Sequence, residues 1–251
     1  MFNQFIQEPI NQGLVFFYHL LGDNLGLAII AITLLIRFVL APLTLPSLKS
    51  AKKIKDLKPD LDKLKKEHKD DKQALQMAQL ELYKKHNINP AAGCLPQIIN
   101  LIVLIGLYRV LLDFLASGNI NGTTVNLNFL WMNLAEPDKT YAAPIVAGVI
   151  QFILALMLAP ATDTAAEKTI AAQTKTKKDD KEAEGMSDMA QTMQQQMLFI
   201  MPLMTVVIAL RFPSGVAIYW IITTLFSTIQ QYFVSGLGGL EKYINKIFKA
   251  K

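Results

Sequence analysis

The residue with the most unusual chemistry is Arg37, a permanent positive charge inside the apolar run from Leu25 to Pro46. At ~1.5 Å of rise per helical residue, it would lie ~18 Å from the start of that run, close to the middle of a bilayer. A guanidinium does not lose its proton in proteins, so it can bind carboxylates, carbonyls or water but cannot act as an acid or a base. A charge at a helix centre costs about 2.5 to 3.5 kcal/mol on insertion scales. The sequence therefore predicts a function for Arg37 in electrostatic binding.

The other reactive side chains do not assemble into a catalytic or metal site. Cys94 is the single cysteine, and the three histidines are scattered along the chain at His19, His68 and His86. No GxxxxGK[ST] or GxGxxG motif is present to bind a nucleotide. We therefore expect no enzyme activity, no metal and no cofactor, and we expect any energy input to come from a partner, the membrane potential or the substrate.

Composition places these residues in a membrane protein. Hydrophobic residues make up 52% of the 251-residue chain, and the mean hydropathy is +0.30. A helix needs about 20 apolar residues to cross a bilayer, and five runs meet or approach that length. We predict an all-α polytopic membrane protein with five transmembrane helices, a cytoplasmic two-helix hairpin and an N-terminal interfacial helix. The five spans are residues 25–46, 95–116, 142–160, 197–212 and 215–234.

The spans offer Arg37 neutral polar partners rather than acids. The last three contain no Asp or Glu, and Asp113 in the second has Arg109 one helical turn away. Because uncharged polar groups are costly against lipid, we expect them to face one another or water. The sequence thus predicts a hydrated groove that attracts acidic residues of a passing peptide; the alternative is an arginine that snorkels or binds backbone carbonyls for structure alone. The groove candidates are Gln97, Asn100, Gln151, Thr223 and Thr224.

Basic residues predict the orientation. The segments that would lie inside hold 21 lysines, whereas the outer segments hold Lys139 and Arg211. The positive-inside rule then places the N-terminus outside and the C-terminus in the cytoplasm. The connecting segments are the extracytoplasmic interfacial helix 1–24, the cytoplasmic hairpin 47–94, the outer loop 117–141, the cytoplasmic loop 161–196, flexible and then helical, and the basic cytoplasmic tail 235–251.

The hairpin is predicted from two apolar stripes at helical spacing on either side of a polar turn, with Pro59 kinking its first arm or marking where that arm begins. Its lysines form a solvated face or contact anionic lipid or the RNA of a docked ribosome. The stripes consist of Ile54, Leu57, Leu61 and Leu64, and of Leu75, Ala78 and Leu82.

A row of methionines at helical spacing runs into the fourth span. The flexible thioether suits contact with varied apolar substrates, although packing against neighbouring helices explains the row equally simply. The candidates for substrate contact are Met189, Met193 and Met197.

Four motifs follow one another along the chain: ITLLIRFVLAPLT at 32–44, LYKKHNINPAAGCLPQ at 82–97, LRFPSGVAIYW at 210–220 and the Gln230-Gln231 pair. Each is weak alone. In their order, spacing and topology they resemble the YidC/Oxa/Alb family of membrane-protein insertases over nearly the whole chain.

The resemblance implies that the chain inserts and folds small membrane proteins, alone or with the Sec translocon, through a groove open to cytoplasm and lipid. Arg37 matches the groove charge of the family, and Trp220 matches its Tyr-Trp motif. Many relatives have Asn where this chain has Thr223 and Thr224. The implied partners are nascent membrane proteins, the ribosome, the signal recognition particle pathway, the Sec translocon and anionic lipids, but not DNA.

An ion channel or secondary transporter is the main alternative function, because intramembrane polar residues also mark ion paths. Against it, the spans show no inverted repeat and no mid-membrane acid to carry a proton or Na⁺. An assembly scaffold without insertion activity is a further alternative. We expect the chain in a bacterial plasma membrane as a multi-pass protein.

Overall fold

The computed structural model describes residues 3–68, 71–89, 95–117, 119–120, 123–159, 200–241 and 244. This part of the chain is mostly helical. A short π-helical turn, Asn3–Gln7, leads into α1 (Glu8–Leu20), and the remaining helices are α2 (Leu25–Asp56), α3 (Lys58–Glu67), α4 (Lys72–Lys85), α5 (Leu95–Ser117), α6 (Ala142–Leu158), α7 (Ile200–Ala209) and α8 (Ser214–Ser235). Four two-residue strands form two antiparallel pairs, β1 (Asn119–Ile120) with β2 (Thr123–Thr124) and β3 (Asn128–Phe129) with β4 (Met132–Asn133).

Helix α2 is the longest element, with 32 residues. It begins at Asn24, whose side chain accepts a hydrogen bond from the backbone N–H of Leu27 at 3.0 Å. It continues through Pro42 and Pro46 to Asp56, so the helix extends well beyond the predicted span boundary. Of the described helices, α2 alone is long and apolar enough to cross a membrane by those two criteria, and α6 and α7 are apolar but shorter. The count of five spans therefore stays a prediction.

The bundle has one well-packed end, at which α2, α6 and α8 begin; we call it the loop end. The core there consists mainly of side chains from α1, α2, α5 and α8, with Met132, Leu134 and Ala143 added from the segment that leads into α6 and from its first turn. Glycines permit close contact between helices, because a Cβ at Gly13 would meet Ile32 and one at Gly106 would meet Ile10. Helix α1 accordingly packs along α2 and α5. The largest fully buried side chains of this core include Leu14, Tyr18, Leu25, Ile29, Leu107, Leu111 and Val216.

Contacts along the bundle give the helix directions. Ile29 packs at Gly215, Arg37 contacts Thr223, and the Lys52 Nζ donates to the Val234 carbonyl at 3.0 Å. Residue numbers rise together in these pairs, so α2 and α8 run in the same direction. Helix α5 runs the opposite way, because Leu111 packs at Gly215 while Asn100 contacts Tyr219.

The segment between β3 and α6 fastens the loop end. The Glu136 carbonyl accepts hydrogen bonds from the Ser214 N–H at 2.8 Å and hydroxyl at 2.7 Å, and the Leu134 carbonyl accepts one from the Gly215 N–H at 3.1 Å. These bonds satisfy N–H groups of the first turn of α8, which have no partner within the helix. The ring of Phe129 packs on Gly26. The start of α8 is thus fixed relative to the start of α2.

Helices α3 and α4 pack against each other and bury Leu57, Leu61 and Leu75. Pro59 lies in the first turn of α3, so it marks where that helix begins. The Asp71 carboxylate accepts from the Ala74 N–H at 2.9 Å and caps α4. The cytoplasmic position of this pair stays a prediction. The predicted methionine stripe, with Met189, Met193 and Met197, lies outside the described residues.

Candidate functional site

The site is built around Arg37, whose side chain is almost fully buried, with 8% of the residue exposed. Its guanidinium donates one hydrogen bond to Asn100 Oδ1 at 2.6 Å and another, from Nε, to Thr223 Oγ1 at 3.4 Å. Asn100 belongs to α5 and Thr223 to α8, so three helices meet at this charge. The structure thus brings together three of the residues that the sequence predicted for the groove.

Tyr219 completes this cluster, and the sequence analysis did not identify it. Its hydroxyl lies 2.8 Å from Asn100 Oδ1 and 3.2 Å from the Asn100 carbonyl oxygen. Tyr219 and Thr223 are four residues apart and therefore share one face of α8. The sequence does contain a signal for Tyr219, because a residue four positions before Thr223 lies on the same face of the helix. The Tyr-Trp motif pointed instead to the neighbouring Trp220. We call Arg37, Asn100, Tyr219 and Thr223 the arginine cluster.

Within the part of the chain that the structure describes, the arginine cluster holds a charge without a counter-ion. The ion pairs recorded among the described residues are His19–Asp23, Asp60–Lys63 and Glu136–Lys139, none of which includes Arg37. Two neutral oxygens accept hydrogen bonds from the guanidinium instead, and hydrogen bonds to a charged group are each worth about 1.5 to 3 kcal/mol. The described bonds use two of its five N–H donors.

A small cavity adjoins the guanidinium. Its volume of about 10 Å³ is close to the minimum that holds one water molecule. The space between the described helices is therefore water-sized at this point, and a broad hydrated groove stays a prediction. Thr33, which donates to the Ile29 carbonyl at 2.6 Å, lines the cavity together with Ile36, Arg37, Leu40, Ile99, Asn100, Val103 and Tyr219.

Gln151 and Thr224 form a second polar contact, separate from the arginine cluster. The Thr224 hydroxyl donates to Gln151 Oε1 at 3.5 Å, across the packing surface of α6 and α8. Thr223 and Thr224 are adjacent, so they point to different faces of α8. Trp220 is half-buried on the same helix, and the side chain of Gln97 lies outside the described residues.

Comparisons with known proteins place the chain in a family. A family model described as "60Kd inner membrane protein" matches residues 16–238. "Membrane protein insertase YidC" of Fusobacterium nucleatum is 36% identical over 215 residues, which cover 86% of this chain and 88% of that protein. "Membrane protein insertase MisCA" of Bacillus subtilis is 32% identical over 240 residues, covering 93% of this chain and 79% of the relative.

A longer relative shows the same region inside a larger protein. "Membrane protein insertase YidC" of Geobacter sulfurreducens is 30% identical over 231 residues, which are 92% of this chain and 37% of that protein. The family model matches residues 16–238, and this range includes all four members of the arginine cluster. From the extent of these matches, this chain belongs to the YidC/Oxa/Alb family of membrane proteins.

Proposed function

We propose that the chain is a membrane-protein insertase and chaperone that moves small hydrophobic proteins from the cytoplasm into the bilayer. The observation that carries the proposal is the buried Arg37 charge, which donates hydrogen bonds to neutral groups on two other helices. Relatives that match most of the chain are named as insertases. The proposed role is binding and not bond chemistry, so the protein acts without a catalytic residue.

The proposed mechanism uses the donors that the cluster leaves available. An acidic side chain at the bilayer centre costs about 2.5 to 3.5 kcal/mol on insertion scales, and pairing with Arg37 offsets part of that cost. Asn100 and Thr223 are neutral, so an anion from a substrate replaces them with a gain in Coulomb energy. Because the cavity is water-sized, substrate entry requires α5, which carries Asn100, to separate from α2.

Helix directions support the proposed topology. Helices α2 and α8 run in parallel and α5 runs against them, as five alternating spans require. With the lysine bias, this favours an outer N-terminus and a cytoplasmic C-terminus. The loop end is then the outer end, and α3 and α4 lie in the cytoplasm. There we propose contacts with the ribosome, the signal recognition particle pathway and anionic lipids, and cooperation with the Sec translocon in the membrane.

The ion channel or secondary transporter remains the competing function. No carboxylate bonds to Arg37 within the part of the chain that the structure describes, so an ion-coupling acid is not in evidence at that site.

Reconstitution separates the two functions. Purified protein in liposomes is given a small single-span substrate with one acidic residue, and protease protection measures insertion while an ion-sensitive dye measures flux. We expect Arg37→Ala to lower the insertion rate roughly 10- to 100-fold, equivalent to about 1.4 to 2.8 kcal/mol. Arg37→Lys should retain part of the rate, because it keeps the charge but loses the planar donor array.

Arg211→Ala is the matched control, since it removes an exposed arginine at the turn between α7 and α8. It should insert substrate at the wild-type rate. Wild-type insertion by Arg37→Ala, or ion flux without insertion by the unmodified protein, would contradict the proposed function.

A further inference from the structure

The turn between β3 and β4 presents large apolar side chains to the surface at the loop end. Leu130 is 72% exposed and Trp131 is 58% exposed, and Tyr141, just before α6, is 59% exposed. Leu130 and Tyr141 have φ angles of +52° and +60°. A bulky residue in the left-handed region is uncommon, and such backbone strain concentrates at functional sites. The exposed apolar side chains and the strained backbone indicate that this surface binds a ligand or a lipid.

Asp138 fixes this surface in place. Its buried carboxylate accepts hydrogen bonds from the Thr140 N–H and hydroxyl at 3.0 and 2.7 Å, and from the Ala143 N–H at 2.8 Å. The Trp131 indole also helps to lower the pKa of this carboxylate, so it lies close to it. Burial raises the pKa of Asp138, but these hydrogen bonds outweigh burial and hold the pKa below its usual value. The indole therefore lies beside a carboxylate that also accepts from the first turn of α6.

A polar depression of about 310 Å³ lies beside the indole. Its lining carries Lys139 and Glu136, whose Nζ and Oε2 form an exposed ion pair at 2.7 Å, together with the buried Asp138 carboxylate. Such exposed pairs are weak, so both groups can exchange partners. Asn128, Asn133 and Thr140 add amide and hydroxyl groups to the lining.

The apolar side of this surface continues along α6. Tyr141, Ile145 and Val149 follow at i, i+4 and i+8, on one helical face, and each is more than half exposed. They span ~12 Å along the helix axis. Polar groups with both charges thus adjoin an apolar strip, which is the pattern of a phospholipid with its headgroup next to its acyl chain.

We propose that the depression binds the headgroup of one zwitterionic phospholipid, with an acyl chain along Tyr141, Ile145 and Val149. Lys139 pairs with the phosphate and Glu136 with the ammonium group. An anionic headgroup would satisfy Lys139 but face Glu136, so the site favours a lipid that carries both charges. The proposal depends on immersion of the chain in a bilayer and not on insertase activity.

Tryptophan fluorescence tests this site, because the chain contains two tryptophans and Trp220→Phe leaves Trp131 as the single fluorophore. The Trp220→Phe protein is placed in nanodiscs with a small fraction of brominated-chain phosphatidylethanolamine or phosphatidylglycerol. We expect the ethanolamine lipid to quench Trp131 about two- to threefold more, the size that follows from exposed ion pairs. Glu136→Gln should remove this preference, because Glu136 is the group that pairs with the ammonium of the ethanolamine lipid.

Asp60→Asn is the matched control, since Asp60 forms an exposed i, i+3 pair with Lys63 at 3.2 Å on α3. It should leave the lipid preference intact. Equal quenching by the two lipids, absence of quenching by either, or loss of the preference in Asp60→Asn would each overturn the proposal. Insertion is not measured in this test, so its failure is distinct from failure of the proposed function.

Discussion

Arg37 and Asp138 are two buried charges of opposite sign, and the structure satisfies them in different ways. Among the described residues neither has a charged partner. Asp138 accepts from groups two to five residues away, so one short segment satisfies it. Arg37 donates to residues 63 and 186 positions away, on two other helices. The hydrogen bonds of Asp138 hold one short segment in its local conformation. The hydrogen bonds of Arg37 join different helices, so they can break when the helices separate and the guanidinium can then bind another partner. This difference favours a functional role for Arg37.

Replacing Asp138 should give the largest loss of stability. Asp138→Ala removes the acceptor of the buried Ala143 N–H in the first turn of α6 and of two donors of the exposed Thr140, at a cost of about 1 to 2 kcal/mol. Arg37→Ala should change the free energy of unfolding by less than about 1 kcal/mol, because removal of a buried charge offsets the lost bonds. Denaturant unfolding in detergent micelles compares the two. An equal loss of stability in the two variants would contradict the view that Asp138 stabilises the fold whereas Arg37 mainly serves function.

Tyr219→Phe should slow insertion by roughly three- to tenfold, equivalent to about 0.7 to 1.4 kcal/mol. The variant keeps the ring but removes the hydroxyl that lies 2.8 Å from Asn100 Oδ1, so Asn100 is no longer held in place beside Arg37. Tyr108→Phe on α5 is the matched control, since the Tyr108 ring packs on Phe212 outside the arginine cluster. Insertion assays in liposomes measure both. A wild-type rate for Tyr219→Phe would show that positioning of Asn100 is unimportant.

The adjacent threonines of α8 allow a finer separation. Thr223→Val removes an acceptor of the Arg37 guanidinium, and Thr224→Val removes the donor to Gln151. The first should lower the insertion rate by about two- to threefold, and the second should leave it unchanged, because its contact lies between α6 and α8. The same liposome assay detects this difference. A larger effect at Thr224 would place the functional polar face against α6 instead.

The smallest effect is expected from pH. The folded protein holds the pKa of Asp138 below its usual value, so the carboxylate contributes stability above about pH 4 that is lost as the pH falls toward the folded-state pKa. Asp138→Asn should remove this component of the acid dependence, while Arg37 contributes none because it does not titrate. Thermal unfolding between about pH 3 and pH 6 measures it. Identical acid profiles for Asp138→Asn and the unmodified protein would contradict the assignment.

Hydropathy and motif order predicted the helical class and the family. The cost of a charge among apolar residues is visible in the sequence, so it also singled out Arg37, which the structure buries and whose functional importance stays a prediction. Asn100 and Thr223 were predicted from their polarity alone. Tyr219 was missed because a tyrosine in an apolar run is typical of membrane boundaries, and only the packing of α8 on α5 shows what its hydroxyl contacts.

Other features depend on tertiary contacts that no local pattern encodes. Gln151 was grouped with Arg37 by depth, but the structure pairs it with Thr224 on another face of α8. Helix α2 was predicted to leave the membrane at Pro46, and the helix itself continues to Asp56. The role of Asp138 depends on a left-handed residue at Tyr141 that turns the chain back toward the carboxylate, which composition does not indicate.

The central claim is that Arg37 pairs with an acidic residue of the substrate, and a double-mutant cycle tests it most directly. Insertion rates are measured for the unmodified protein and Arg37→Gln, each with a single-span substrate carrying Asp or with the same substrate carrying Asn. The account predicts a coupling energy of about 1 to 3 kcal/mol between Arg37 and the substrate carboxylate. Additive effects, with no coupling between the two changes, would contradict it.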